Sequence, residues 1–435
     1  MKKTLIILII FLVLLFGASI WFYFFYFRGI SPAILKSPQN IADLLSNQNN
    51  TSTPDQNTTD MPLQLPQGFS ISIFAKDLPN ARVMAFDESE NLWVSQPNQN
   101  TVSYLEIKDG NVIKQTTPLE NLNKPHGLAV SYCTTMCIEQ IPGENEGGCH
   151  DTCELYVAQE NEVTRFLYNP SDLNETINAT RKKIVELPAG GRHATRTLLH
   201  KSDSTLLVSI GSSCDVCYEE DNRRASIIAV DTTEGKFGEW QSYAVGLRNS
   251  VFMTRNPKTN EVWATEMGRD FLGDNLPPDE INIIKDRQLD SNDLPGDYGW
   301  PICYGKNIHD AQFDKNQYIQ DPCASRQPSH IDLQAHSAPL GLAFIPDTWP
   351  EDMRGDLLVA YHGSWNRSTA TGYKVVRIKL DEQGNYEGTE DFITGWLTSD
   401  NRALGRPVDL VFDDTGDLYI SDDKAGVIYK VVYSK

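Results

Sequence analysis

The 435-residue chain lacks the features of several common protein classes. Its net charge at pH 7 is −20, so it has no positive footprint for phosphate backbones, which excludes nucleic acid as a partner. It contains no Cys-x-x-Cys-His motif, so attached haem is not indicated. Residues 4–27 contain no Asp, Glu, Lys or Arg, and no cysteine follows them as a lipid-attachment site would require.

This uncharged run of 24 residues predicts a membrane anchor. At 1.5 Å per residue it is long enough to cross a hydrocarbon layer of roughly 30 Å. A cleaved signal peptide is the alternative, but its apolar region usually spans only about 7–15 residues. We expect residues 1–28 to form an N-terminal transmembrane helix, with the rest of the chain extracytoplasmic, because Lys2 and Lys3 favour a cytoplasmic N-terminus.

Composition divides the remainder into two parts. Residues 29–62 are predicted to be a disordered, flexible linker, since residues 46–60 are almost wholly polar and have no apolar period to bury. Residues 63–435 contain no second linker of this kind and are predicted to form one domain.

The eight cysteines occur as close pairs, and export favours disulfide bonds between them. Zinc is the alternative, because two Cys-x3-Cys pairs offer four thiolates. Spacing does not determine the connectivity of the pairs, which are Cys133/Cys137, Cys149/Cys153, Cys214/Cys217 and Cys303/Cys323.

The long domain contains a sixfold repeat. Each copy has an apolar strand, a turn, a second strand of the Leu-Tyr-Val type, another turn and a third strand. Six all-β copies of about 60 residues predict a six-bladed β-propeller of four-stranded blades. Residues 69–74, before the first copy, are expected to close the ring as the outer strand of the last blade. The second strands of the copies are 91–95, 154–158, 206–210, 261–265, 356–360 and 417–421.

Polar and cationic residues precede the innermost strands, where the loops of a propeller gather around the axis. One such histidine is more often structural than chemical. Several together predict an anionic ligand, since unpaired buried charge is costly. The residues are His126, His193, Arg248, Asn249, His336 and Arg406.

Several segments together resemble the glucose/sorbosone dehydrogenase family, whose members use pyrroloquinoline quinone (PQQ). The likeness runs in order from Leu65 to Tyr433. It is carried by residues 190–198, 208–217, 246–249, 279–282, 298–301, 335–341 and 362–368.

The resemblance implies roles for individual residues. His193 matches the general base that takes the proton of the substrate hydroxyl, a task suited to imidazole. Arg248 and Asn249 match the pair that contacts the quinone and its developing negative charge, so Arg248 is also a catalytic candidate. Arg406 matches an arginine that pairs with a cofactor carboxylate. Arg367 is the nearest cation to a family lysine that has no clean counterpart here.

The resemblance also implies Ca²⁺, which takes oxygen ligands. The backbone carbonyls of Gly268 and Arg269 match those below the quinone. A second, structural calcium is implied near Asp279, Glu280 and Tyr298.

Two departures from the family pattern leave details open. The loop 268–279 is longer than in the soluble glucose dehydrogenases and contains Asp270 and Asp274, which are either ligands or members of a solvated loop. Arg192 replaces the acidic neighbour that precedes the base in some family members.

The implied function is oxidation of an aldose or sugar aldehyde to a lactone or acid, with electrons passing to a respiratory acceptor. Fold alone does not decide function. One alternative is a non-catalytic, surface-anchored propeller that binds a glycan or a protein. Another is a calcium-dependent lactonase, against which the basic residues argue.

Overall fold

The computed structural model describes residues 15–18, 34–35, 56–137, 149–170, 173, 177–289 and 292–434. Six antiparallel blades of four strands surround a central axis, which confirms the predicted all-β propeller. The second strands are buried on both faces between neighbouring blades, as in Leu92–Gln96. In outer strands such as Asn111–Leu119, solvent-exposed residues alternate with partly buried ones instead. This difference explains why the apolar second strands made the repeat visible in the sequence.

Blades 1 to 3 follow each other along the chain, each starting at its innermost strand. The strands of blade 1 are Met84–Phe86, Leu92–Gln96, Thr101–Lys108 and Asn111–Leu119. Those of blade 2 are Gly127–Cys137, Cys149–Ala158, Glu162–Tyr168 and Lys182–Glu186. Those of blade 3 are Arg196–Ser202, Thr205–Ile210, Ser226–Asp231 and Trp240–Val245, beside which Gly296–Asp297 adds a short parallel strand.

Blades 4 to 6 complete the ring. The strands of blade 4 are Met253–Arg255, Val262–Glu266, Asp279–Ile284 and Ile331–Leu333. Those of blade 5 are Pro339–Phe344, Leu357–Tyr361, Lys374–Leu380 and Tyr386–Ile393. Those of blade 6 are Pro407–Phe412, Leu418–Asp422, Val427–Tyr433 and Phe69–Ala75. Smaller elements are the bridge of Ile34–Leu35 with Arg402–Ala403, the hairpin Cys303–Tyr304 and Ile308–His309, and the 3₁₀ turns Pro97–Gln99, Asn178–Thr180 and Glu351–Met353.

The ring closes as predicted, because Phe69–Ala75 pairs antiparallel with Val427–Tyr433. Large aromatic side chains fill the spaces between blades. Trp93 of blade 1 lies 5.1 Å, centre to centre, from Tyr168 of blade 2, and Trp263 of blade 4 lies 5.3 Å from Phe344 of blade 5. Such buried aromatic contacts hold neighbouring blades together.

The structure describes only a small part of the predicted anchor. Residues 15–18 are helical, and the rest of 1–28 lies outside the described part of the chain. No helix found among the described residues has the length and apolar character needed to span a bilayer.

The last residues of the predicted linker, 56–62, contact the propeller in the structure. Asn57 bridges to Ile71 of the closing strand, and its side-chain amide donates to the Met61 and Leu63 carbonyls. Residues 56–62 therefore belong to the ordered domain, where Met61 is buried against blade 6. Polar composition does not reveal these contacts, because amide side chains can replace strand partners.

Three disulfide bonds lie within the described residues, joining Cys133 to Cys153, Cys214 to Cys217 and Cys303 to Cys323. The first joins residues of two different Cys-x3-Cys pairs, which rules out the four-thiolate zinc site. The backbones of Cys137 and Cys149 lie opposite each other in blade 2, while their side chains lie outside the described structure.

Candidate functional site

One face of the propeller collects the loops that carry the predicted site. In an antiparallel blade, the start of the innermost strand lies beside the loop that joins the second and third strands. The loops before the innermost strands of blades 3 to 6 therefore meet the loops 211–225, 267–278 and 362–373. Contacts between these loops decide the chemistry of the face.

His193 lies directly before the innermost strand of blade 3 and is partly buried. Its Nδ1 lies 3.0 Å from the carbonyl oxygen and 2.9 Å from the hydroxyl oxygen of Ser212. That hydroxyl donates to the carbonyl of Cys214, so both Ser212 oxygens accept, and the network assigns the proton to Nδ1. The Nε2 lone pair is thereby left free, and among the described residues nothing bonds to it.

Burial and two neighbouring arginines, Arg248 and Arg192, lower the pKa of His193 to about 3. Burial is the largest effect, and the positive charge of Arg248 is the second. The imidazole is therefore neutral at any physiological pH. Its free Nε2 can accept a proton from a substrate hydroxyl.

Arg248 is buried and held by carboxylates. Its Nη2 donates to Asp215 Oδ1 at 2.7 Å, its Nε donates to the Asp215 carbonyl at 2.8 Å, and its Nη1 donates to the Met267 carbonyl at 3.2 Å. A carboxylate oxygen of Asp270 lies 3.7 Å from the same Nη2. The guanidinium is thus charge-compensated and fixed in orientation, with N–H groups left over from its five donors.

The Asn249 side chain packs beside His193. A Cβ atom at Gly211 would lie 2.5 Å from Asn249 Oδ1 and 2.6 Å from His193 Cβ. Only glycine at this position lets the two side chains lie together. The Asn249 backbone N–H donates to Glu266 Oε1 at 2.8 Å, which fixes the start of the blade 4 strand.

His336 and Arg367 have a different environment from His193 and Arg248. His336 Nε2 lies 2.8 Å from the Gly273 carbonyl and 3.1 Å from the Leu276 carbonyl. Arg367 donates to the carbonyl of Asp274 and to that of Ala335. Both side chains hold the long loop 268–279 in place. The cofactor contact assigned to Arg367 stays a prediction, and the structure gives its guanidinium a structural partner.

Arg406 retains an unused donor group. Its Nε and Nη2 donate to the carbonyls of His362 and Gly363, each at 3.0 Å. Nη1 has no bond among the described residues, so a carboxylate can be received there. His126, by contrast, is almost wholly buried against Phe252 and cannot reach a ligand at the mouth.

The predicted calcium residues meet around one small cavity of about 20 Å³, which is large enough for a single ion or water. Gly268, Arg269, Glu280 and Tyr298 line it, while Asp279 accepts from the Gly268 N–H at 3.0 Å. The hydroxyl of Tyr298 is used by Ile283 and Lys285. The Arg269 side chain pairs with Asp310 at 2.9 Å. Tyr298 and Arg269 can therefore offer an ion only their backbone carbonyls.

Glu266 is a cavity residue that the sequence analysis missed. Its Oε2 is buried and has no hydrogen-bond partner among the described residues. Burial, followed by the charge of Glu280, raises the pKa of Glu266 well above its usual range. Burial also raises the pKa of Asp279 to about 6 and that of Glu280 to about 7. None of the three carboxylates has an ion-pair partner among the described residues, although the charge of Arg248 partly offsets that of Glu266.

Two further residues correct the sequence reading. Asp270 is 6% exposed, so the alternative of a solvated loop is wrong for it. Asp215 lies in the segment 208–217 that carries the family resemblance, and no role was predicted for it, although it holds Arg248. The signal was available in Cys214-Asp-Val-Cys217, where a short disulfide loop fixes the carboxylate next to the base.

Comparison of the sequence and fold with known proteins identifies several relatives of this chain. An uncharacterized protein of Borreliella burgdorferi is 29% identical over 384 residues, covering 86% of this chain and 91% of that protein. A pyrroloquinoline quinone-dependent sugar dehydrogenase of Hypocrea jecorina is 25% identical over 411 residues, covering 83% and 87%. A calcium structure of the Trichoderma reesei Carbohydrate-Active Enzymes Family AA12 shares the fold, with a TM-score of 0.69, 22% identity, and coverage of 89% of this chain and 100% of that one.

The relationship inferred from the motifs is confirmed by these matches. A family model described as TrAA12-like matches residues 63–434, which is the whole propeller. The match starts at the buried Leu63 and ends one residue beyond the closing strand pair. The chain belongs to the TrAA12-like family.

Proposed function

We propose that this protein is a quinoprotein oxidoreductase that oxidises an aldose or a sugar aldehyde to the lactone or acid, using PQQ and Ca²⁺. The observation that carries the proposal is the free Nε2 of His193 beside the fixed guanidinium of Arg248. The name of the Hypocrea jecorina relative supports sugar as substrate and PQQ as cofactor.

The residues present fit a planar tricarboxylate quinone. Arg406 has a free donor, and Arg248 keeps N–H groups beyond its three bonds. Gly363 has a φ of +111° and no side chain, and a Cβ there would collide with the Tyr373 ring at 2.3 Å. Glycine at this position therefore lets the Tyr373 ring pack against the loop and beside Arg406, whose guanidinium carbon lies 5.6 Å from the ring centre.

In the proposed reaction, His193 Nε2 takes the proton of the sugar hydroxyl while the carbon gives up its hydrogen with the electron pair. When bound, PQQ supplies the acceptor for that hydride. Ser212 keeps the imidazole in the required tautomer throughout. Arg248 faces negative charge without reorganising, because Asp215 already fixes it.

The calcium proposal rests on the buried carboxylates of Glu266 and Glu280, which line the small cavity, and on the buried carboxylate of Asp279 beside it. Carbonyls of Gly268 and Arg269 and the acids beside them would hold the ion, which would act as a Lewis acid.

Calcium is expected to stabilise the protein more at pH 8 than at pH 5. In metal-free protein the raised pKa values of Asp279 and Glu280 mean that stability falls as pH rises from about 4 to about 7. At pH 5 protons compete for the site, whereas at pH 8 the ion relieves repulsion. At 100 times its Kd the ion adds about 2.7 kcal/mol to the free energy of unfolding. Thermal melts in Ca²⁺ and in EDTA measure the difference, and equal gains at both pH values contradict the assignment.

The direct test uses the domain from residue 56, refolded oxidatively and incubated with PQQ and Ca²⁺. Dye reduction is followed across aldoses and sugar aldehydes, with His193→Ala as control. Turnover that needs both additives and is lost in the variant is expected. A folded protein that does not bind PQQ contradicts the proposal.

We further propose that residues 1–28 anchor the enzyme in a membrane with the propeller outside the cytoplasm, where a respiratory acceptor takes the electrons. The charge pattern at Lys2 and Lys3 and the disulfide bonds support this location. Protease treatment of intact cells is expected to remove the propeller, and protection from protease contradicts the orientation.

A further inference from the structure

Two aromatic side chains are exposed at the rim of the candidate site. Phe271 lies in the loop between the second and third strands of blade 4, and Trp365 lies in the equivalent loop of blade 5. They are 37% and 43% exposed, with ring centres 5.8 Å apart and planes at 87°. Phe271 has a φ of +67°, which is rare for a bulky residue and is typically retained at functional sites.

Polar groups hold this pair in place. The Arg192 guanidinium carbon lies 5.6 Å from the centre of the Trp365 ring, and Arg192 donates to Asp270 at 2.5 Å. The other oxygen of Asp270 lies 3.3 Å from the side-chain amide of Asn366. Aromatic rings with a few fixed planar donors and acceptors suit a ligand that has apolar C–H faces and hydroxyl edges. A pyranose ring has this chemistry.

Exposure places the pair outside the reacting position. Contacts run outward from Arg248, 4% exposed, through Asp270 to the Arg192 side chain, 36% exposed, and to Trp365, 43% exposed. Arg192 directly precedes His193, so this path begins at the base. A ring bound on Trp365 therefore lies closer to solvent than a ring whose hydroxyl meets His193.

We propose that Phe271, Trp365 and Arg192 form a subsite for the second sugar ring of an oligosaccharide whose reducing-end ring lies at His193. This inference rests on the proposed function and narrows it from sugars in general to oligosaccharides. Trp365 stacks on the outer ring, while Arg192, held in orientation by Asp270, contacts its hydroxyl groups.

The test compares disaccharides with glucose in the holoenzyme. Trp365→Ala is expected to lower kcat/KM for cellobiose or maltose by about tenfold while changing that for glucose by less than about twofold, because stacking on the outer ring alone is lost. Trp365→Phe is expected to recover most of the loss. Tyr386→Ala is the matched control, since Tyr386 is 47% exposed on the outer strand of blade 5, away from the site.

A binding measurement separates failure of the subsite from failure of the proposed function. Calorimetric titration with methyl β-cellobioside and methyl β-maltoside, which have no free anomeric hydroxyl to oxidise, needs no turnover. Binding that Trp365→Ala abolishes supports the subsite even if no sugar is oxidised. Equal losses for glucose and disaccharides, no loss for either, or no binding of either glycoside overturns the proposal.

Discussion

Two histidine–arginine pairs lie on the same face of the propeller and looked alike in the sequence. His193 and Arg248 belong to blades 3 and 4, whereas His336 and Arg367 belong to blade 5. His193 Nδ1 donates a hydrogen bond to Ser212, which leaves Nε2 without a partner among the described residues. His336 Nε2, by contrast, is hydrogen-bonded to carbonyls of the loop 268–279. Arg248 is oriented by a carboxylate, whereas Arg367 holds backbone carbonyls. The nitrogen left free, rather than the residue type, separates a chemical role from a structural one.

Matched glutamine substitutions test the two histidines, and the largest effect is expected here. His193→Gln removes the proposed base and is expected to lower kcat by about 10²–10⁴-fold. His336→Gln keeps a donor for the loop carbonyls, so kcat is expected to stay within about threefold. Steady-state dye reduction measures both. Comparable losses in the two variants would remove the distinction.

Matched lysine substitutions test the two arginines. Arg248→Lys loses the fork that Asp215 orients, and kcat is expected to fall by about 10²–10³-fold because a fixed positive charge is displaced. Arg367→Lys can still donate to the loop and is expected to keep kcat within about threefold. A large loss of kcat in Arg367→Lys, with loop protection from hydrogen exchange unchanged, would instead support the cofactor contact assigned to it from the family.

The lowered pKa of His193 predicts how activity and stability depend on pH, and the expected effect is smaller than those of the substitutions above. Because burial and Arg248 lower the pKa of His193 to about 3, the acid limb of kcat/KM is expected near pH 3. The unfolded chain binds this proton near pH 6.5, so stability falls as pH drops from about 6.5 toward 3. Between pH 7 and pH 5 this residue is expected to cost about 2 kcal/mol. Urea unfolding of wild type and His193→Gln measures the difference, and parallel pH profiles would contradict the shifted pKa.

The fold was largely predictable because its signals are local. Second strands such as Leu206–Ile210 are apolar on both faces, and six of them recur at regular spacing. The closing strand, Phe69–Ala75 in the structure, was predicted at residues 69–74 from its position before the first copy of the repeat. The segment 56–62 was not, because Asn57 bonds to residues that only the folded chain brings near.

The site was predictable where a residue's own position in the blade decides its place. His193, Arg248, Asn249 and Arg406 precede innermost strands, so topology alone puts them on one face. Roles that depend on contacts between blades were not predictable. Asp270 of blade 4 is buried because Arg192 of blade 3 covers it.

The amino-acid sequence was enough to predict the propeller, its number of blades, its ring closure and the face on which the candidate site residues lie. These follow from hydrophobic period and from the order of strands, which neighbouring residues specify. Tertiary structure alone decided which groups remain available. It paired Cys133 with Cys153, left Glu266 Oε2 without a partner, and left Nε2 of His193 open. Hydrogen bonds between loops distant in sequence consume donors and acceptors one by one, and that outcome depends on three-dimensional proximity.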